Sequence, residues 1–393
     1  MKLLRTVSTG RLVAFALVVA VAAAGLAAVA VAAGRGGGPV PPAKPLARAL
    51  HDSLAGSAPA GVTAHITFTN NLFPSGALGG QAGSALMSGA SGRLWATSDG
   101  HGRIELQSDA GDVQIVWNPR TVTVFDASSN TVYRAILPRH GGGSSGNGSG
   151  AVPSLSEIAG FLAHVGDHAA VGRATPTDVG GQPAYSVRVS PRHDGGLLGA
   201  AELAWDATRP VPLRVGIYAQ GASSPVLELA ATHVTFGSVP AGDVEISPPA
   251  SAKVTDLGKL ARHGGRKRHG SKPSSASGAA ALAGAPFSAV APATLVGLPR
   301  QDVRLVGHGD SRSLLAVYGH GLGAIVVLER AARGGGPAGA LGALPTVSLD
   351  GVTAHELATQ LGTALTWRKH GVSFVLAGSV PAAAAEAAAR ALG

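Results

Sequence analysis

The sequence predicts an α+β protein with an N-terminal membrane helix and two domains beyond it, on three observations. An uncharged run of 22 residues, Leu12–Ala33, follows Lys2, Arg5 and Arg11. Downstream, short stretches alternate apolar and polar residues and are separated by polar turns, the pattern of half-buried antiparallel strands. A basic, Gly/Ser/Ala-rich stretch then divides the rest in two. The boundaries read from these shifts are 1–34 for a signal-anchor or signal peptide and 35–45 for a Gly/Pro stalk. A first domain over 46–250, a linker over 251–284 and a smaller second domain over 285–393 complete the chain.

At 1.5 Å per residue the first run spans about 33 Å, enough for a bilayer core. The bases ahead of it place the N-terminus inside and the bulk of the chain outside. A retained anchor is the preferred reading. A cleaved signal peptide is the rival, since Ala28-Val29-Ala30 and Ala30-Val31-Ala32 are small-x-small sites. A single-pass, extracytoplasmic protein is therefore expected, secreted if the signal is cleaved.

The net charge of +9 is confined to two places. Lys2, Arg5 and Arg11 supply +3, and seven bases from Lys253 to Lys272 against Asp256 supply +6. A nucleic-acid reader carries its charge on a folded face with aromatics to stack bases, so no nucleic-acid partner is expected. The absence of cysteine excludes disulfides, thiolate metal sites and a lipidated N-terminal Cys.

Along the chain, Val62, Ala64, Ile66 and Phe68 alternate with Thr63, His65 and Thr67. Similar alternation predicts strands over Gly92–Ser98, Arg103–Ser108, Val113–Trp117, Thr121–Asp126 and Thr131–Leu137. Turns such as Asp109-Ala110-Gly111-Asp112 between them imply an antiparallel meander. After the loop Gly141–Gly150, a helix is predicted over Pro153–Ala170, with Ser154 or Ser156 as N-cap. Strands resume at Ala184–Val189, Ala200–Trp205, Pro212–Ala219 and Val226–Phe236. In the second domain, strands are predicted at Val303–Val306, Ser313–Tyr318, Gly323–Glu329 and Gly371–Leu376. A short helix is expected at Val352–Gly362, and a closing helix at Pro381–Leu392 with Pro at its start.

No motif carries chemistry. Gly319-His320-Gly321-Leu322-Gly323-Ala324 has dinucleotide-loop spacing, but a strand rather than a helix follows it, so it reads as a hairpin turn. His355-Glu356 lacks a second His at the spacing zinc requires. His164 and His168 sit one helical turn apart with Asp167 between them but without an evident third ligand. No nucleophile elbow, phosphate loop or paired carboxylates occur, so neither an enzyme nor a cofactor is expected. Trp95, Trp117, Trp205 and Trp367 fall in or beside strands and read as packing residues.

Several stretches carry a resemblance. Gly92–Pro138, Pro210–Gln220 and His233–Pro249 resemble the LolA-like fold of lipoprotein carriers, lipid-binding lipoproteins and the RseB sensor. The family's turn before its Asn-led strand stands here as Val124-Phe125-Asp126, then Asn130-Thr131-Val132-Tyr133. Its closing region stands as Ile246-Ser247-Pro248-Pro249, without the usual aromatic. Ala316–Glu329 and Arg368–Leu392 are similar to the smaller domain of RseB-like proteins. The resemblance implies a curved, unclosed antiparallel half-barrel with a helical lid over an apolar cavity, followed by a small α+β domain. It also implies an acyl-chain or lipid ligand, and an anti-sigma factor or other membrane protein as partner. A membrane anchor departs from the family's free form and weakens a shuttle role.

The expected function is therefore non-enzymatic lipid or acyl-chain binding by a membrane-tethered protein. A regulatory module controlling an anti-sigma factor without bound lipid is the alternative. Ligand-facing candidates are Ile66, Phe68, Leu94, Ile104, Leu106, Ile115, Val122, Val124, Val215 and Ile217. A one-residue shift in strand phase would turn that whole set to the other face.

Overall fold

The computed structural model describes residues 38–73, 84–137, 153–193, 196–256, 278–307, 312–332 and 344–392. The expected membrane helix, the 141–150 loop and residues 257–277 of the linker lie outside the described residues. No described helix is long and apolar enough to cross a membrane.

Helix α1 (Leu46–Leu54) leads into β1 (Gly61–Asn70), the short α2 (Ala85–Ser88) and the meander β2 (Ala90–Thr97), β3 (Gly102–Ser108), β4 (Gly111–Trp117), β5 (Thr121–Asp126) and β6 (Thr131–Ile136). Helix α3 (Leu155–Gly166) precedes β7 (Ala169–Val171), β8 (Thr175–Val179), β9 (Gln182–Pro191), β10 (Leu198–Asp206), β11 (Pro212–Ala219), β12 (Leu227–Phe236) and β13 (Lys253–Asp256). These strands form one curled, half-barrel sheet in the order β13-β6-β5-β4-β3-β2-β1-β12-β11-β10-β9-β7, with β8 also on β9. Its pairings are antiparallel except for β13 on β6. Strand β13 lies within the stretch read as linker, as does helix α4 (Ala279–Ala283).

The second sheet runs β14 (Thr294–Leu295), β15 (Leu298–Val306), β16 (Ser313–Tyr318), β17 (Ile325–Ala331), β21 (Val372–Gly378), β20 (Gly362–Lys369), β19 (Val352–Thr359) and β18 (Thr346–Leu349). Helix α5 (Ala382–Ala391) closes the chain with Pro381 as N-cap. The described protein is thus mostly β rather than evenly α+β.

Local chemistry sets these elements. Ser154 and Glu157 form a reciprocal capping box, Glu157 N donating to Ser154 Oγ at 3.3 Å and Ser154 N to Glu157 Oε2 at 2.8 Å. That selects Ser154 over Ser156 as N-cap. The helix stops at Gly166 rather than Ala170, because Ala169–Val171 pairs with Val189–Pro191 of β9. The helix expected at Val352–Gly362 is strand β19. Asp350 (φ 49°) and Gly351 (φ 85°) make the left-handed pair of a tight hairpin turn that launches it back along β18. His370 (φ 47°) and Gly371 (φ 76°) do the same between β20 and β21. The Gly319–Ala324 segment is the turn joining β16 to β17, as its sequence context predicts.

Close strand approach needs glycine most at Gly92, ahead of Gly199 and Gly362. A Cβ on Gly92 would stand 1.7 Å from the Glu105 carbonyl oxygen. Replacing Gly92 with Ala forces two paired backbones apart, and a loss on the order of 2–3 kcal/mol is expected. An unchanged denaturant midpoint would show that the strands yield there freely.

Helix α3 does not lie over the half-barrel as a lid. It packs on α1 and β7 at one sheet edge, leaving Phe161 65% exposed. The short α2 is the helix on the inner face, contacting β1, β3 and β4, with Ala85 fully buried in the core. A separate cluster of Ala49, Tyr185, Val187 and Trp205 fixes α1 to β9 and β10. There Tyr185 donates a 2.6 Å hydrogen bond to the Pro42 carbonyl.

Candidate functional site

Register brings most of the ligand-facing candidates together. Leu94, Ile104, Ile115 and Val124 are direct cross-strand partners in one row, with Ala64 of β1 completing it. Ile66, Leu94, Ile104, Leu106, Ile115 and Val122 are buried in one apolar cluster, and Phe68 and Val124 pack against it half-buried. Val215 and Ile217 are half-buried and lie outside that cluster.

The half-barrel's inner face is filled by the chain itself. Leu213, Leu229, Ala230 and Val234 from β11 and β12 close onto the same cluster, together with Ala85 and Leu86 of α2. Beside it, the described residues Gly61–Ala64, Leu94–Ser98 and Pro210–Leu213 border an apolar pocket of about 190 Å³. Of the ten candidates only Leu94 lines it. Ligand sites for drug-sized molecules run to roughly 300–1,000 Å³.

A larger groove, about 620 Å³, lies on the opposite side of the meander. Val116, Thr123 and Arg134 form a cross-strand row there, alternating with the inward Ile115 and Val124. Residues 244–254 cross over it as a strap. Arg103 Nη1 holds the strap through the Glu245 carbonyl at 3.0 Å, and Lys253 N bonds the Asn130 carbonyl at 2.9 Å.

Three acids are buried among the described residues, Asp206, Glu228 and Glu329, and the last two have raised carboxyls. Glu202 and Glu228 are both register partners of Gly216, so they flank it across β10–β12. Arg214 pairs with Glu202 and lies 4.0 Å from Glu228, while Tyr218 donates to Glu202 at 3.4 Å. The Arg188 guanidinium sits 4.1 Å from the Tyr218 ring centre. Burial pushes the Glu228 carboxyl up to about 7, against the pull of Arg214 and with a further push from Glu202. In the second sheet Glu329 is fully buried, accepting from Val290 N at 2.8 Å. Burial pushes it up to about 7 as well, with the Val290 bond acting in the opposite direction.

His164 and His168 approach at 6.0 Å between ring centres, and His164 lies 3.7 Å from Asp167, all in solvent. No cluster of three or more metal-ligating side chains occurs among the described residues. His355 lies on β19, with Nδ1 3.3 Å from the Leu344 carbonyl. The tryptophans are packing residues in part: Trp205 and Trp367 are buried, and Trp367 stacks on Phe374 at 4.9 Å. Trp117 packs on the inner core, and Arg103 lies over Trp95.

The sheets meet through loop bonds. Leu197 N donates to Ser379 Oγ at 2.9 Å, and Gln360 N donates to the Leu72 carbonyl at 3.1 Å.

No protein-family model matches the sequence, and no curated protein matches it. Among solved structures, MucB in complex with MucA(peri) matches at 15% identity, covering 88% of this chain and 94% of that one, with a TM-score of 0.40. This chain is similar to MucB. The MucA/MucB complex of Pseudomonas aeruginosa matches at 16% identity and a TM-score of 0.41, over 87% of this chain and 95% of that one. An uncharacterized conserved protein from Thermus thermophilus matches at 11% identity and a TM-score of 0.31, over 53% of this chain and 96% of that one.

Proposed function

We propose that the chain is a non-enzymatic regulatory module of the RseB type, engaging an anti-sigma factor or a similar membrane protein outside the cytoplasm. The observation that carries this reading is the self-filled inner face: six of the ten candidate ligand contacts are core residues. The adjoining 190 Å³ pocket is too small for a long acyl chain. The partner class follows from the resemblance of Ala316–Glu329 and Arg368–Leu392 to the RseB-like smaller domain.

Lipid carriage has less support, because it requires that core to open. A retained N-terminal helix would hold the module beside a membrane-bound partner.

The test is co-purification of the full chain with the extracytoplasmic part of each anti-sigma factor from the same genome, with organic extracts of the product analysed by mass spectrometry. A stoichiometric protein complex with empty extracts is expected. A lipid bound near one per chain, with no anti-sigma factor retained, would overturn the reading.

A further inference from the structure

We infer that the outer face of the second sheet docks an acidic, amphipathic helical segment of a partner protein. This rests on the regulatory reading above and names the chemistry of the partner's contact.

The sheet's central strands are apolar on both sides. An antiparallel strand with one wet face alternates apolar and polar residues, whereas near-continuous apolar runs mark strands covered twice. Strand β17 opens Ile325-Val326-Val327-Leu328, β16 contains Leu314-Leu315-Ala316-Val317, and β21 contains Phe374-Val375-Leu376. One set faces the core: Leu314, Ile325, Val327, Phe374 and Leu376 are buried with residues of α4, α5 and the 285–291 segment. The alternate set, Leu315, Val317, Val326, Leu328, Val375 and Leu357, stays outside that cluster and half-buried.

Register orders the outward set into two rows. Leu315, Leu328 and Val375 are successive cross-strand partners in the first. Val317 and Val326 open the second, which continues through Ala377 and Ala364 to Leu357. The second row crosses five strands, about 19 Å at about 4.8 Å per strand, while the first turns polar at Thr366 and His355. That length matches a helix of about 13 residues.

Charge specifies the occupant. The next row along is Ser313, Arg330, Ser373 and Arg368, and Arg312 precedes β16 on the same margin. Arg312, Arg330 and Arg368 are exposed, and none makes an ion pair among the described residues. The acid Asp302 at the β15 end already pairs with Arg304. A basic margin beside an apolar band favours an acidic partner segment. A second copy of the chain would present the same cations and gain no such complementarity.

The test titrates the full chain with a synthetic helix of about 14 residues carrying leucines on one face and glutamates on its flanks. A lysine-flanked counterpart is the control. The glutamate peptide should bind at micromolar concentration in low salt, at least about tenfold tighter than the lysine one. Arg330→Glu with Arg368→Glu should reverse that preference without moving the melting temperature, and Leu328→Thr should weaken binding of both peptides. If Leu328→Thr disturbs folding, the arginine pair, on exposed side chains, still decides.

Equal binding of the two peptides, or binding of neither, would overturn the inference. So would sedimentation showing dimers that Leu328→Thr dissolves. The arginine variant retaining full affinity for an anti-sigma factor that the natural chain binds would defeat this inference alone. A natural chain that binds no anti-sigma factor would defeat the regulatory reading instead.

Discussion

Replacing Glu329 with Gln is expected to raise the stability of the second sheet at pH 8 by about 3 kcal/mol and leave it nearly unchanged at pH 4. Glu329 is fully buried, and its Oε1 has no hydrogen-bond partner. Tyr318 lies buried nearby with its hydroxyl likewise unpartnered, and its own acidity is suppressed to about 12, first by burial. The Glu329 carboxyl is raised from about 4.5 to about 7 by burial, so the folded chain holds a proton that the unfolded chain has released across that interval. Stability contributed by this group therefore falls as pH rises from 4.5 to 7 and stays low above it. Gln keeps an acceptor for Val290 N and removes the titration. Melting curves from pH 4 to 8 decide the matter: an equal pH slope in variant and natural chain would show that Glu329 is not buried as an acid.

Glu228 places a second group of the same sign in the first sheet, raised to about 7 chiefly by burial. Glu228→Gln should flatten the remaining slope while sparing the Arg214–Glu202 pair. Asp52 acts oppositely. Its carboxyl is lowered first by the hydrogen bond from Lys44, so what it contributes is lost as pH falls below the ordinary carboxylate range. Together these signs place the stability optimum at about pH 4, where Glu329 and Glu228 have not begun to cost stability and the Asp52 carboxylate still contributes.

The buried acids show where the sequence is readable and where it is not. Strand spacing in the meander is legible because each strand ends in a polar turn, and Thr121–Asp126, Pro212–Ala219 and Ser313–Tyr318 have the predicted bounds. Alternation groups the apolar residues of β2–β5 on one face, but whether that face lines a cavity or a filled core is not written in it, and the register with β1 and β12 decides it. Val215 and Ile217, in register with Leu229 and Leu227 of β12, stay half-buried outside the cluster, which their alternation does not foretell. Strand β19 reads as helix in the sequence because His355-Glu356-Leu357-Ala358 has good helix formers. The Asp350-Gly351 turn ahead of it, a strong hairpin signal, outweighs that propensity. Glu228 sits between Leu227 and Leu229, and Glu329 ends the Ile325–Leu328 run. An acid inside an apolar run is the signal that could have found both.

Replacing Ile104 with Ala is expected to lower the stability of the first sheet by about 3–4 kcal/mol, the range for emptying a well-packed aliphatic site. Ile104 is 1% exposed and sits in register between Leu94 and Ile115, at the middle of the inward row. Because Leu94 lines the 190 Å³ pocket, the space vacated next to it adjoins that pocket and should enlarge it. An apolar naphthylamine dye, bulkier than the benzene-sized ligands a pocket of about 190 Å³ accepts, should then be taken up by the enlarged pocket of the variant and not by the natural chain. Both readouts bear on function. If the inner face is a closed core, the natural chain stays dark and the variant loses stability while gaining dye. A natural chain that already binds one dye or fatty acid per molecule would mean that Leu213, Leu229 and α2 separate from the meander in solution. The acyl-chain reading would then displace the regulatory one.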